Sequence, residues 1–132
     1  MTPALLLVGA ISIYAPGDGH NAGELACGGR LTWRSEHVAI RGWRGRCGAP
    51  ARVCVRGRCA WTTVRDSGPW GLQCGPRWHV WTRPSLPAGC RRRAVVDLAW
   101  ALWQRLGRPP FLSRAEVTVY RRARPAARGG EM

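Results

Sequence analysis

The sequence predicts a mainly β protein, folded as a small closed barrel with one principal helix. Turn residues divide most of the chain into short strand-like runs, and one segment has the composition and the boundaries of a helix. With 132 residues, the chain is near the usual size of a single domain. Many short strands with a single helix favour a barrel over a layered α/β fold.

The predicted strands are apolar or alternating runs bounded by glycine and proline. They are residues 11–14, 37–40, 51–55, 60–65 and 116–120. Residues 68–93 are rich in Pro, Gly, Trp and Arg and are interpreted as a long loop or an insertion. We therefore expect an N-terminal segment at 1–9, a barrel domain at 10–121 and a basic tail at 122–132. The apolar run near the start is too short for a transmembrane span, which needs about 20 residues.

The predicted helix lies in "VVDLAWALWQRLG". Asp97 is placed to be its N-cap, and Gly107 followed by Pro109 ends it. Trp100 and Trp103 are expected on its core-facing side.

The chain is strongly basic, with a formal charge of +14. Its 21 basic residues are all arginine. Such a charge favours anionic partners but does not specify a fold. The absence of lysine fits two explanations, a GC-rich genome or selection for bidentate contacts with phosphate or carboxylate.

Six cysteines in a small chain predict disulfides and a location outside the reducing cytosol. No pair has the C-x-x-C spacing of a zinc site, so we expect no metal and no cofactor. In "VCVRGRCAW", a two-residue turn at Arg56 and Gly57 places Cys54 opposite Cys59 in a hairpin. That position suits a cross-strand disulfide.

The order of "ISIYAPG", "GELACGGRLT", "VRDSGPWG", "VVDLAWALWQRLG" and "VTVY" resembles the double-psi β-barrel of the rare lipoprotein A group, expansins and barwin. The resemblance covers about residues 10–121 and implies six barrel strands. Its most specific part is Asp66 before a Gly-Pro turn, although Ser67 stands where family members typically have arginine. The cysteine positions resemble the expansin and barwin framework, which implies the following disulfides: Cys27 with Cys47, Cys54 with Cys59, and Cys74 with Cys90.

The resemblance to rare lipoprotein A implies a lytic transglycosylase that cleaves peptidoglycan, with Asp66 as the general acid/base. The alternative for Asp66 is that it only caps its own turn. Glu24 matches the family's Gly-Glu element, but the carboxylate expected three residues later is Cys27. His37 and Asp97 are the remaining catalytic candidates, although His37 requires a two-residue insertion in the alignment and Asp97 is also explained as an N-cap.

Tryptophans in loops or near strand ends could stack on sugar rings and so predict a sugar-binding groove; they are Trp33, Trp43, Trp70, Trp78 and Trp81. The candidate substrate-binding residues are Tyr14, Trp33, Ser67 and Trp70. Tryptophans interleaved with arginines would also suit single-stranded nucleic acid, but no recognised motif accompanies them and no such partner is expected. The triplet "DSG", formed here by residues 66–68, also occurs in the active site of aspartic proteases. Their mechanism needs two such aspartates that share a proton, whereas this chain has one such triplet, so the barrel family fits better.

Two functional interpretations remain open from the sequence. The first is an enzyme that cuts cell-wall glycan through Asp66, acting on peptidoglycan or another cell-wall polysaccharide. The second is a non-catalytic polysaccharide-binding or structural barrel like the expansins and barwin, including a component of a virion or a cell-envelope assembly. Loss of the family carboxylate at Cys27 favours the second, whereas Glu24 and Asp66 favour the first. Either implies an extracellular, periplasmic or virion-associated protein.

Overall fold

The fold is given by a computed structural model that describes residues 1–17 and 23–122. The predicted tail beyond residue 122 lies outside the described residues. Within the described ranges there are nine strands and one helix. The elements are β1 (Pro3–Tyr14), β2 (Val38–Ala39), β3 (Pro50–Val55), β4 (Arg58–Asp66), β5 (Gly71–Cys74), β6 (Arg77–Val80), β7 (Cys90–Arg91), β8 (Ala94–Ala99), α1 (Trp100–Arg105) and β9 (Arg114–Tyr120).

Six strands form a closed barrel in the order β1-β8-β2-β4-β3-β9. The β1–β8 and β2–β4 pairs are parallel, and the other barrel pairs are antiparallel. Closure leaves no unpaired edge on the barrel. The predicted closed, mainly β barrel with one helix is therefore confirmed.

The barrel interior is filled by small and β-branched side chains that alternate along each strand. Val53 on β3 pairs with Val117 on β9, Val55 pairs with Ala115, and all four are fully buried or nearly so. Leu102 brings the buried face of α1 onto the same core. Each fully buried side chain of this size stabilises the fold by roughly 1.5–3 kcal/mol.

The predicted hairpin between β3 and β4 is confirmed. Arg56 and Gly57 have φ angles of 51° and 80°, the left-handed conformation that a tight hairpin turn requires. Cys54 therefore lies opposite Cys59, and the two form a disulfide. The other two bridges join Cys27 to Cys47 and Cys74 to Cys90, as the family resemblance implied.

Two elements differ from the sequence predictions. β1 begins at Pro3 rather than at residue 11, because residues 3–10 pair with β9. Asp97 is not an N-cap: it lies within β8, and α1 starts three residues later with Ala99 as its cap and no side-chain capping bond. The physical reason is that Val96 and Leu98 point into the core, so the two-residue period of a strand continues through Asp97.

Between β4 and β8 of the barrel, residues 68–93 carry a separate three-stranded sheet in the order β6-β5-β7, and we call this segment the insertion. Cys74 and Cys90 are cross-strand partners in it. Arg41 Nη1 donates to the carbonyl oxygens of Pro69 and Ala94, at 2.8 and 2.9 Å, and so ties both ends of the insertion to the barrel. Burial lowers the pKa of Arg41, as does the nearby charge of Arg92.

In the described residues, no helix is long and apolar enough to cross a membrane.

Candidate functional site

Asp66 is the last residue of β4 and is half-buried. Its Oδ1 atom accepts hydrogen bonds from the backbone N–H groups of Ala26 and Ser67, at 2.8 and 2.9 Å. The Cys27 N–H donates to the Arg65 carbonyl oxygen at 3.0 Å. The Asp66 side chain thus accepts from the first N–H of the turn that follows it, and it also holds the Ala26 loop against the end of β4.

A hydrogen-bonded chain runs behind Asp66. The Tyr14 hydroxyl lies 2.5 Å from His37 Nε2 and is also hydrogen-bonded to Asp66. Burial raises the pKa of Tyr14 far above its ordinary value, and the negative charges of Asp66 and Asp97 raise it further. Burial also lowers the pKa of His37 to about 4, with Asp66 opposing and Arg65 adding to the shift.

At neutral pH both rings are therefore uncharged. The Tyr14 hydroxyl then donates to Asp66, and the His37 Nε2–H group donates to the Tyr14 oxygen. His37 is only 5% exposed, so it positions Tyr14 from behind and does not line the groove.

An open groove of about 270 Å³ passes over Asp66. A second hollow of about 380 Å³ adjoins it, and both are lined by Tyr14, Glu24 and Asp66. Together they form one depression across the end of the barrel where β1 and β4 finish. A concave surface with a few polar groups among aromatic side chains is typical of a ligand site.

Asp66 on β4 and Asp97 on β8 lie on the two strands that flank β2, and both pair with the same residue of β2. Ala39 of β2 pairs with Asp66 on one side and with Asp97 on the other. Two strand spacings separate the two acids, about 10 Å between Cα atoms. The Ser12 hydroxyl donates to Asp97 at 3.1 Å.

Aromatic rings form the wall of the groove beside the insertion. Trp70 Nε1 donates to the Ser67 hydroxyl at 3.2 Å, and the guanidinium of Arg92 lies 5.2 Å from the centre of the Trp70 ring. Trp78 on β6 meets Phe111 edge to face, with 5.7 Å between ring centres. Both are exposed, so the pair offers apolar ring surface to a ligand.

The structure brings together most of the residues chosen from the sequence. The groove is lined by Tyr14, Glu24, Asp66, Ser67, Trp70 and Asp97. Trp33 does not line it: this side chain is exposed and packs edge-on against Trp100, 5.6 Å away. Sequence reasoning missed Phe111 altogether and named Trp78 only among the loop tryptophans, because no local pattern shows that these two residues meet.

The charge distribution is uneven. Of the five carboxylates in the described ranges, three line the groove: Glu24, Asp66 and Asp97. No cluster of three or more metal-ligating side chains occurs in the part of the chain that the structure describes. The acidic groove therefore stands out on an otherwise arginine-rich surface.

No family model and no curated protein matches the sequence. Solved structures do match the fold. The Streptomyces papain inhibitor aligns over 90% of this chain and 97% of its own, with a TM-score of 0.54 and 19% identity. An expansin from Clavibacter michiganensis, in its apo form, aligns over 92% of this chain and 54% of its own, with a TM-score of 0.54 and 18% identity. A mutant of that expansin in complex with cellohexaose gives a TM-score of 0.53 at 14% identity, again covering 92% of this chain and 54% of its own.

The chain thus spans about half the length of the expansin chains and almost the whole of the papain inhibitor. At this level of identity, the likeness establishes the fold alone. The closed six-stranded barrel, the three disulfides and these neighbours together show that the chain has the double-psi β-barrel fold of barwin-like and expansin-like proteins.

Proposed function

We propose that this protein is a non-catalytic module that binds a polysaccharide chain in the groove over Asp66. The observation that carries the proposal is the combination of the rings of Tyr14, Trp70, Trp78 and Phe111 with carboxylates in one open groove. Sugar rings present C–H faces that pack on aromatic rings and hydroxyl groups that donate to carboxylates. The fold supports the proposal, since an expansin of this fold is known in complex with cellohexaose.

The setting of Asp66 favours binding over cleavage. Three donors hold its carboxylate, two from the backbone and one from Tyr14, so the side chain is part of the groove's framework. The position at which the rare lipoprotein A group has a further groove carboxylate is Cys27, which is joined to Cys47. Glycan cleavage needs a carboxylic acid free to protonate the departing oxygen and a second group to act on the sugar.

A lytic transglycosylase acting on peptidoglycan is the second candidate. It is favoured by the position of Asp66 and Asp97 on either side of Ala39, which leaves room for a glycosidic bond between two carboxyl groups. In that case Asp66 would be the acid/base, with Glu24 also facing the groove. The disulfides suit an extracellular protein in both cases, acting on a cell wall or within a virion or cell-envelope assembly.

Retention on insoluble polysaccharide tests the binding proposal. Wild-type protein, Trp78→Ala and Trp61→Ala are incubated with peptidoglycan sacculi and with cellulose, and the bound fraction is measured. Trp61 is 49% exposed and lies outside the groove, so it is a matched control. Removing one stacking ring should weaken binding by about fivefold in Trp78→Ala, since each aromatic contact is worth about 1 kcal/mol. Equal retention of Trp78→Ala and wild type on both polymers would contradict the proposal.

The products decide between the two candidates. Soluble material released from peptidoglycan by wild type and by Asp66→Asn is analysed by mass spectrometry. We expect no anhydro-sugar ends from either protein, with glycan still retained by both. Anhydro-sugar ends that appear with wild type and not with Asp66→Asn would replace the binding proposal with the transglycosylase.

A further inference from the structure

A separate concave surface, away from the groove and its adjoining hollow, lies at the other end of β1. It has a volume of about 450 Å³ and is formed where β1 begins, where β9 ends, and by the loop that follows β2. Four of its lining residues are arginines: Arg44, Arg46, Arg121 and Arg122. We call this surface the arginine cleft.

No carboxylate of the described residues lines the arginine cleft. Three of the five described carboxylates line the groove. Of the other two, Glu36 is paired with Arg105 at 2.7 Å, and Glu116 lies on β9 opposite Cys54. The cationic groups of the cleft therefore repel one another without a carboxylate among them, and a bound anion would relieve that repulsion.

The backbone that carries these arginines is held in place. The Arg46 N–H donates to the Trp43 carbonyl oxygen at 2.9 Å, and Arg46 Nη1 donates to the Gly42 carbonyl oxygen at 2.8 Å. Arg44 stacks over the Trp43 ring, with its guanidinium carbon 4.9 Å from the ring centre. The Arg121 N–H donates to the Thr2 carbonyl oxygen at 2.8 Å. A cleft built on fixed backbone loses little freedom when it binds a ligand.

We infer that the arginine cleft binds successive phosphate groups of a phosphodiester polymer of the cell envelope, in which phosphates alternate with polyol units. The guanidinium group matches phosphate oxygens with two parallel N–H donors. Four arginines line the cleft, which is enough cationic groups to pair with more than one phosphate. Its single aromatic ring, Tyr120, already packs against Trp61 at 5.3 Å, so the cleft offers no free ring for a nucleic-acid base.

The cleft and the groove can be occupied at the same time. β1 runs from Pro3 at the cleft to Tyr14 at the groove, a separation of up to about 36 Å along the strand. Phosphate binding at one end would hold the protein on an anionic envelope while the other end takes a neutral glycan. The inference does not depend on the glycan-binding proposal, and each can fail without the other.

The test is calorimetric titration with poly(glycerol phosphate), with inorganic phosphate and with single-stranded oligothymidylate of the same number of phosphates. The cleft variant is Arg44→Gln combined with Arg46→Gln. The control is Arg77→Gln combined with Arg91→Gln, two exposed arginines of the inserted sheet whose loss changes the net charge equally. We expect the cleft variant to bind poly(glycerol phosphate) at least tenfold more weakly than wild type. The control should change affinity by about twofold, the effect of general charge alone.

Two further variants keep the test decisive. If the first cleft variant does not fold, Arg121→Gln with Arg122→Gln removes the other half of the cleft, and the same tenfold loss is expected. Trp78→Ala should bind poly(glycerol phosphate) as wild type does, because it alters only the groove. Equal weakening of the cleft and control variants would overturn the inference in favour of diffuse surface charge. Tighter binding of oligothymidylate than of poly(glycerol phosphate) would overturn it in favour of nucleic acid.

Discussion

Protonation of His37 should limit the stability of the barrel in acid. The imidazole is almost fully buried behind the groove and hydrogen-bonded to Tyr14. Burial lowers its pKa from the ordinary 6.5 to about 4, although the negative charge of Asp66 partly opposes this shift. The folded protein therefore holds the ring neutral in a pH range where the unfolded chain takes up a proton.

The sign and the size of the effect follow from this difference. Above pH 6.5 the ring is neutral in both states, and the stability that the neutral His37 contributes is fully present. As the pH falls from 6.5 to about 4, the unfolded chain binds the proton first, so the free energy of unfolding decreases. The full decrease is about 3 kcal/mol, a large part of the stability of a small domain.

Urea unfolding followed by tryptophan fluorescence at a series of pH values between 7 and 4 measures this decrease. In His37→Gln, which keeps a polar group near Tyr14 but cannot titrate, the loss between pH 7 and 4 should be about 3 kcal/mol smaller than in wild type. His79→Gln alters an exposed histidine on β6 and serves as the control. Identical pH dependence of the free energy of unfolding in wild type and His37→Gln would refute the reasoning.

Three further predictions concern the framework of the site. Gly68 is buried with a φ of 146°, so Gly68→Ala should cost about 1–3 kcal/mol in backbone strain, measured by urea unfolding, and should weaken glycan retention by shifting Trp70. Replacing Cys74 and Cys90 by serine opens the insertion while leaving the barrel intact; amide hydrogen exchange should accelerate in residues 71–91 and stay unchanged in β3 and β9. Ile11 is fully buried, so Ile11→Ala should lower the free energy of unfolding by about 2–5 kcal/mol, and a loss below 1 kcal/mol would contradict its place in the core.

The features that the sequence predicted well are those that depend on neighbouring residues. The two-residue turn at Arg56 and Gly57 determines the register of its hairpin, so the Cys54–Cys59 bridge follows from local geometry. The Gly-Pro turn after Asp66 likewise indicated a strand end that faces a groove. These residues are close in the chain, and their conformations are set by short-range sterics.

The features that the sequence could not supply depend on long-range contacts. Asp97 before an apolar run has the pattern of an N-cap, and only the pairing of β8 with β1 and β2 shows that the strand continues through it. Trp78 and Phe111 are separated by the second half of the insertion, by β8 and by α1, yet their rings meet. The start of β1 at Pro3 is also a consequence of pairing, since β9 is its partner at the other end of the chain.

The most direct test of the glycan-binding groove is a nuclear magnetic resonance titration of ¹⁵N-labelled protein, observing the indole N–H signals of the tryptophans. The ligands are cellohexaose and soluble peptidoglycan strands. Binding in the groove predicts that the signals of Trp70 and Trp78 move and saturate together with one of these ligands, while those of Trp33 and Trp61 stay in place. Movement of the Trp33 or Trp61 signals with Trp70 and Trp78 unchanged, or no movement with either ligand, would contradict it.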